Sequence, residues 1–164
     1  MWFSIVLLVI AGALLGISMV ESADQRKIGI ARMIIYFLFH IVITTGIIKQ
    51  VWRAEQISDN VIFGVISGYI SLGLIGFFIC LSIELLHPGS FRGLYVEGAT
   101  VESTTDRLIY FSFITLLTVG YGDIVPVTSS AEKATILIGL LGQFYLVIIT
   151  ATIIGKYINQ SSSA

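Results

Sequence analysis

The stretch Thr118-Val119-Gly120-Tyr121-Gly122-Asp123 restricts the fold of this chain more than any other. Two glycines alternate with larger residues, and long apolar segments lie on either side. Glycine accepts φ > 0 at little steric cost, so Gly120 and Gly122 let successive carbonyls turn to one side of the backbone. Such carbonyls, repeated around a symmetry axis, can replace the water shell of a monovalent cation. The main chain, not the side chains, is predicted to carry the chemistry here.

Composition sets the solvent. The 164 residues are 56% hydrophobic and 12% charged, with a mean hydropathy of +0.97, whereas a soluble domain carries about 25% charged residues. The apolar residues fall in blocks long enough to cross a bilayer, which predicts an integral membrane protein. A net charge of −1 gives no reason to expect nucleic acid as a partner. The lone Cys80 excludes an internal disulfide and any multi-cysteine metal site within one chain. Met1-Trp2-Phe3-Ser4 holds no basic residue, so the first segment is read as a retained span and not a cleaved signal.

Residues 1–20 form that span, with Gly12 and Gly16 spaced for close helix packing. A polar turn, Glu21 to Lys27, leads to a second span over 28–48. There Arg32 is expected to snorkel to the interface and His40 to be a neutral, hydrogen-bonded structural residue. Lys49 to Asn60 reads as a polar linker, in which Val51, Trp52 and Ile57 could form a short surface-lying helix. Ser58-Asp59-Asn60 offers N-cap oxygens to a third span over 61–86. Gly64, Gly68, Gly73 and Gly76 give that span a thin face, and Glu84 near its end is expected to be solvated at the interface. An irregular loop with Pro88, Gly89, Gly93 and Gly98 follows. Ser103-x-x-Asp106 then opens a helix to Leu117, about 18 Å long and too short to span. Irregular backbone beyond a half-depth helix survives in a membrane only when buried in protein or lining water. Residues 131–157 form the last span.

With its lead-in Tyr110-Phe111-Ser112-Phe113-Ile114-Thr115-Leu116-Leu117, the glycine-alternating stretch resembles the pore module of bacterial potassium channels, most strongly over residues 104–157. The resemblance implies an all-α integral membrane fold. Each chain would have four transmembrane helices with a re-entrant pore helix and filter loop, and would assemble as a homotetramer in the lipid bilayer. Residues 1–60 would hold two N-terminal transmembrane helices and a cytoplasmic linker. The pore module would be 61–157, divided into outer helix 61–86, pore helix 106–117, filter 118–123 and inner helix 131–157. Residues 158–164 would be a disordered tail.

By the same resemblance K+ is the permeant ion. Carbonyls of Thr118, Val119, Gly120 and Tyr121, with the Thr118 hydroxyl, would bind it, and Gly122 would complete the filter. Asp123 would hydrogen-bond to Tyr110, Tyr121 would pack against Phe111, and Thr115 would support the filter from the pore helix. Gly142, nineteen residues after Asp123, stands where the family places an inner-helix hinge. Gly139 competes for that role, and helix packing is the alternative for either. Leu146 and Thr150 are candidates for the cavity or gate. Leu117 departs from the small or hydroxylated residue usual there, and Ile114 from a carboxylate found in some relatives.

The implied function is a potassium-selective channel, not an enzyme; the alternative is a weakly selective monovalent cation channel. A membrane enzyme or redox protein would need clustered ligands, which His40, His87 and Cys80 do not form in sequence. A transporter subunit would usually carry four non-identical loops in one chain. The first two spans lack basic residues at every third position, so a voltage sensor is not expected, and neither is a soluble regulatory domain after Tyr157. An outward filter mouth places both termini in the cytoplasm of a cell-membrane protein, although the basic residues alone would favour the opposite orientation.

Overall fold

The computed structural model of the chain describes residues 25–54, 56–94 and 101–162. The expected first span with Gly12 and Gly16, most of the 21–27 turn, Gly98 and the side chain of Arg32 lie outside the described residues. Four helices carry the described chain: α1 (Gln25–Arg53), α2 (Asp59–Leu86), α3 (Val101–Leu116) and α4 (Ser129–Ser162). Between them β1 (Phe91–Arg92) pairs antiparallel with β2 (Val125–Pro126), Phe91 opposite Pro126 and Arg92 opposite Val125. Among the described residues, three helical stretches are long and apolar enough to cross a membrane, Met33–Arg53, Asp59–Leu86 and Ser129–Ser161. α3, at 16 residues, is the short one.

Several boundaries differ from the sequence reading. Residues 49–53 continue α1 and are not linker: Val51 is only 4% exposed, against Gly64 of α2, so burial outweighs the polar neighbours. Ser58 is the N-cap of α2, yet its side chain makes no capping hydrogen bond. α3 begins at Val101, which puts Ser103 and Asp106 inside the helix and not at its start. No glycine or proline lies between Gly98 and Gly120 to halt it sooner. α4 runs on to Ser162, so Asn159 to Ser162 is helical, not disordered.

α2 is the hub. Its glycines accept neighbours at four levels: Val51 at Gly64, Tyr145 at Gly68, the Phe113 ring at Gly73 and Ser112 at Gly76. Ser112, fully buried, donates its hydroxyl to the Gly73 carbonyl at 2.6 Å. Tyr145 donates to the Val65 carbonyl at 2.7 Å. Each polar tip is thus paired where the surroundings are apolar, and an unpaired one would carry a desolvation penalty. His40 behaves as expected of a structural residue: Nδ1 donates to the Tyr36 carbonyl at 3.0 Å, and the ring packs 5.1 Å from Phe78.

Glu84 does not sit in interfacial water. It is 4% exposed, and its two oxygens accept the N–H groups of Gly89 (2.6 Å) and Ser90 (3.0 Å). The carboxylate thereby folds the turn after α2 back on the helix end. Ser90 in turn accepts the Val127 N–H through its carbonyl, so the turn reaches the segment that follows residue 123.

Candidate functional site

α3 delivers the chain into residues 118–123 through a defined end. The Val119 N–H donates to the Ile114 carbonyl at 2.8 Å and the Thr118 N–H to the Thr115 carbonyl at 3.0 Å. This is the hydrogen-bond pair of a Schellman motif, whose C′ residue must adopt a left-handed conformation and is usually glycine. Here Thr118 takes it, with φ 59. A β-branched residue at positive φ is a true outlier, and such strain gathers at functional positions.

Positive φ then recurs at every second residue, with Gly120 at 56 and Gly122 at 79, while Val119 and Tyr121 between them are not in that region. A Cβ added at Gly120 or Gly122 would meet nothing within 4 Å. Conformation, not crowding, is what requires glycine at these two positions.

Contacts at both ends fix this segment to the body of the chain. The Leu116 carbonyl, at the end of α3, accepts the Tyr69 hydroxyl at 3.2 Å, and Gly142 of α4 packs directly against the same oxygen. At the other end the Asp123 carbonyl lies against Gly93, at φ 84, where any side chain would overlap it. Arg107 Nη2 donates to the Gly93 carbonyl at 2.6 Å. Desolvation pushes the pKa of the Tyr110 phenol up, and the interaction of its hydroxyl with the Asp123 side chain adds to the rise.

Thr115 is half-buried, and its carbonyl is part of the α3 end. Phe111 is 3% exposed, with its ring 5.2 Å from Phe91, whereas Tyr121 is 73% exposed. The Tyr121 ring is therefore not packed on Phe111 within the chain as expected, because β1 occupies that face of α3.

On α4, Gly142 shares a buried stripe with Ala131, Ala134, Ile138, Tyr145 and Ile149. Leu146 and Thr150 are exposed on a different face, which they share with Gln143. Leu117 is also exposed, at 50%. The Gln143 amide donates to the Thr118 hydroxyl at 3.5 Å.

Sequence reasoning missed Gln143, although a lone amide in an otherwise apolar span was a signal. It also missed Tyr69, Gly93 and Arg107, whose roles depend on long-range placement. A hydroxyl that accepts a hydrogen bond keeps one lone pair oriented for another partner. Gln143→Leu removes the donor and is expected to loosen the hold on the Thr118 hydroxyl. It would be read as faster amide hydrogen exchange over residues 117–120, with Gln143→Asn intermediate.

A protein-family profile described as an ion channel matches residues 65–160, more than half of the chain. No curated protein and no solved structure matches it.

Proposed function

Because the chain belongs to the ion channel family, we propose that it conducts K+ passively through a homotetrameric pore whose selectivity filter is Thr118–Asp123. The observation that carries this reading is the positive φ at Thr118, Gly120 and Gly122. Alternation of left-handed residues with residues of ordinary φ turns consecutive carbonyls toward one side, an arrangement suited to replacing a hydration shell. Thr118 adds its own argument. Glycine would satisfy the Schellman position without strain, so a threonine held there points to a use for the hydroxyl.

In this mechanism the permeant ion leaves water for carbonyls of Thr118, Val119, Gly120 and Tyr121, with the Thr118 hydroxyl as the innermost ligand. One filter per chain cannot ring an ion, so a closed assembly must supply the rest, and fourfold symmetry follows the family resemblance. Exposed Tyr121 (73%), Val147 (64%) and Phe144 (59%) suit packing between copies or against lipid. α3 then acts as a re-entrant pore helix. The partial negative charge at its C-terminal end favours a cation near mid-membrane. Gly122 and Asp123 form the outer mouth, with Tyr110 and the Gly93–Arg107 contact behind it. Both termini lie in the cytoplasm of a cell-membrane protein.

A weakly selective cation channel is the second reading, favoured by exposed Leu117 at the inner approach, where an apolar side chain offers no ligand. Reversal potentials in mixed potassium and sodium, with purified protein in planar bilayers, separate the two. A potential near the potassium equilibrium value is expected. Equal permeabilities would sink the selective reading.

A further inference from the structure

At the C-terminal end of α4, Lys156 grips the end of α1. Its Nζ donates to the carbonyls of Ala54 (2.6 Å), Trp52 (2.7 Å) and Val51 (3.4 Å). These oxygens belong to the last turn of α1 and the residue just beyond it, where carbonyls lack intrahelical partners and the helix end carries partial negative charge. An ammonium has three N–H donors, and here each has an acceptor. Just over one turn further on, Gln160 Oε1 accepts the Ile57 N–H at 2.9 Å. The end of α4 is thus fastened to the α1–α2 connection by one charged clasp and one neutral one, across more than 100 residues of sequence.

The direction of the grip follows from helical phase. Lys156 stands seven residues after Ile149 and eleven after Tyr145, which continues their buried stripe. Gln143, Leu146 and Thr150 form a separate, exposed stripe. At 3.6 residues per turn the two directions differ by about 120°. A pull through Lys156 therefore draws the C-terminal half of α4 away from the face that bears Leu146 and Thr150.

We propose that Lys156 is a positioning residue through which α1 holds the conduction pathway open at its cytoplasmic end. This rests on the reading that Leu146 and Thr150 face that pathway. It gives α1 a role beyond anchoring: any displacement of its C-terminal turn is transmitted to α4 through a charge-assisted contact, of the stronger class of hydrogen bond.

Single-channel recordings of the full chain in potassium test the gating role, using Lys156→Met and Lys156→Arg. Lys156→Met is expected to lower open probability several-fold at unchanged unitary conductance and reversal potential, with Lys156→Arg close to wild type. Gln160→Leu should move it the same way by less. Open probability unchanged or raised in Lys156→Met overturns the proposal. A readout that needs no current is amide hydrogen exchange over residues 51–58 in detergent. Exchange should speed up in Lys156→Met and not in Lys156→Arg, and unchanged exchange overturns the clasp itself. No potassium-selective current from the wild type would sink the pore reading and with it the gating role, while the exchange result still decides whether Lys156 docks α4.

Discussion

Gly120→Ala is expected to abolish rubidium uptake into liposomes while the protein still assembles. At φ 56 the residue occupies the left-handed region, where an L side chain adds about 1–2 kcal/mol. An added methyl meets nothing within 4 Å, so packing of the chain is left alone and only the backbone responds. The least strained response is rotation of the residue to negative φ, which turns a carbonyl away from its neighbours. In a symmetric pore every copy makes the same rotation, and one ring of oxygens is lost at once. Gly89→Ala is the matched control. It has φ 84, the same free space and a position on the turn after α2, outside residues 118–123. It carries the same backbone penalty, with no loss of uptake. Wild-type uptake by Gly120→Ala would show that this backbone does not line the ion path.

The contrast between these two glycines also shows what the sequence could and could not convey. A conformational need such as φ > 0 is written into residue type, so Gly120 and Gly122 were legible at once. The glycine face of α2 was legible for a related reason, because closeness of approach selects small residues at helical spacing. Pairings between distant residues were not. Glu84 looked like an interfacial carboxylate because nothing local signals that the chain turns back to present the Gly89 and Ser90 amides. Lys156 looked like the end of a span because its acceptors lie at the end of α1 and just beyond it. Val51 read as linker because its polar neighbours dominate the local pattern, whereas its burial is decided by Gly64 across the helix pair. Thr118 falls between these cases. The motif marked it as a ligand, but the left-handed conformation that makes it an outlier comes from the end of α3.

Gly142 is where local sequence logic and packing lead to opposite expectations. As a hinge, Gly142 would respond to alanine with altered gating, unchanged selectivity and a helix stiffened by about 1 kcal/mol. In the structure α4 runs unbroken from Ser129 to Ser162, and a Cβ at Gly142 would overlap the Leu116 carbonyl oxygen, with the Leu116 side chain 3.1 Å away. That oxygen is backbone, it accepts the Tyr69 hydroxyl, and it lies two residues before Thr118. It cannot yield without moving the end of α3. Gly142→Ala is therefore expected to lower thermal stability by about 1–3 kcal/mol per chain, as overpacking does. It should also reduce discrimination between potassium and sodium, because the displaced carbonyl belongs to the turn that sets φ at Thr118. Gly139→Ala, with nothing within 4 Å of the added methyl, should be neutral or stabilising and leave selectivity intact. Melting curves in detergent and reversal potentials in bilayers check both variants. A Gly142→Ala protein that melts at or above the wild-type temperature with unchanged selectivity would restore the hinge role and remove Gly142 from the support of the filter.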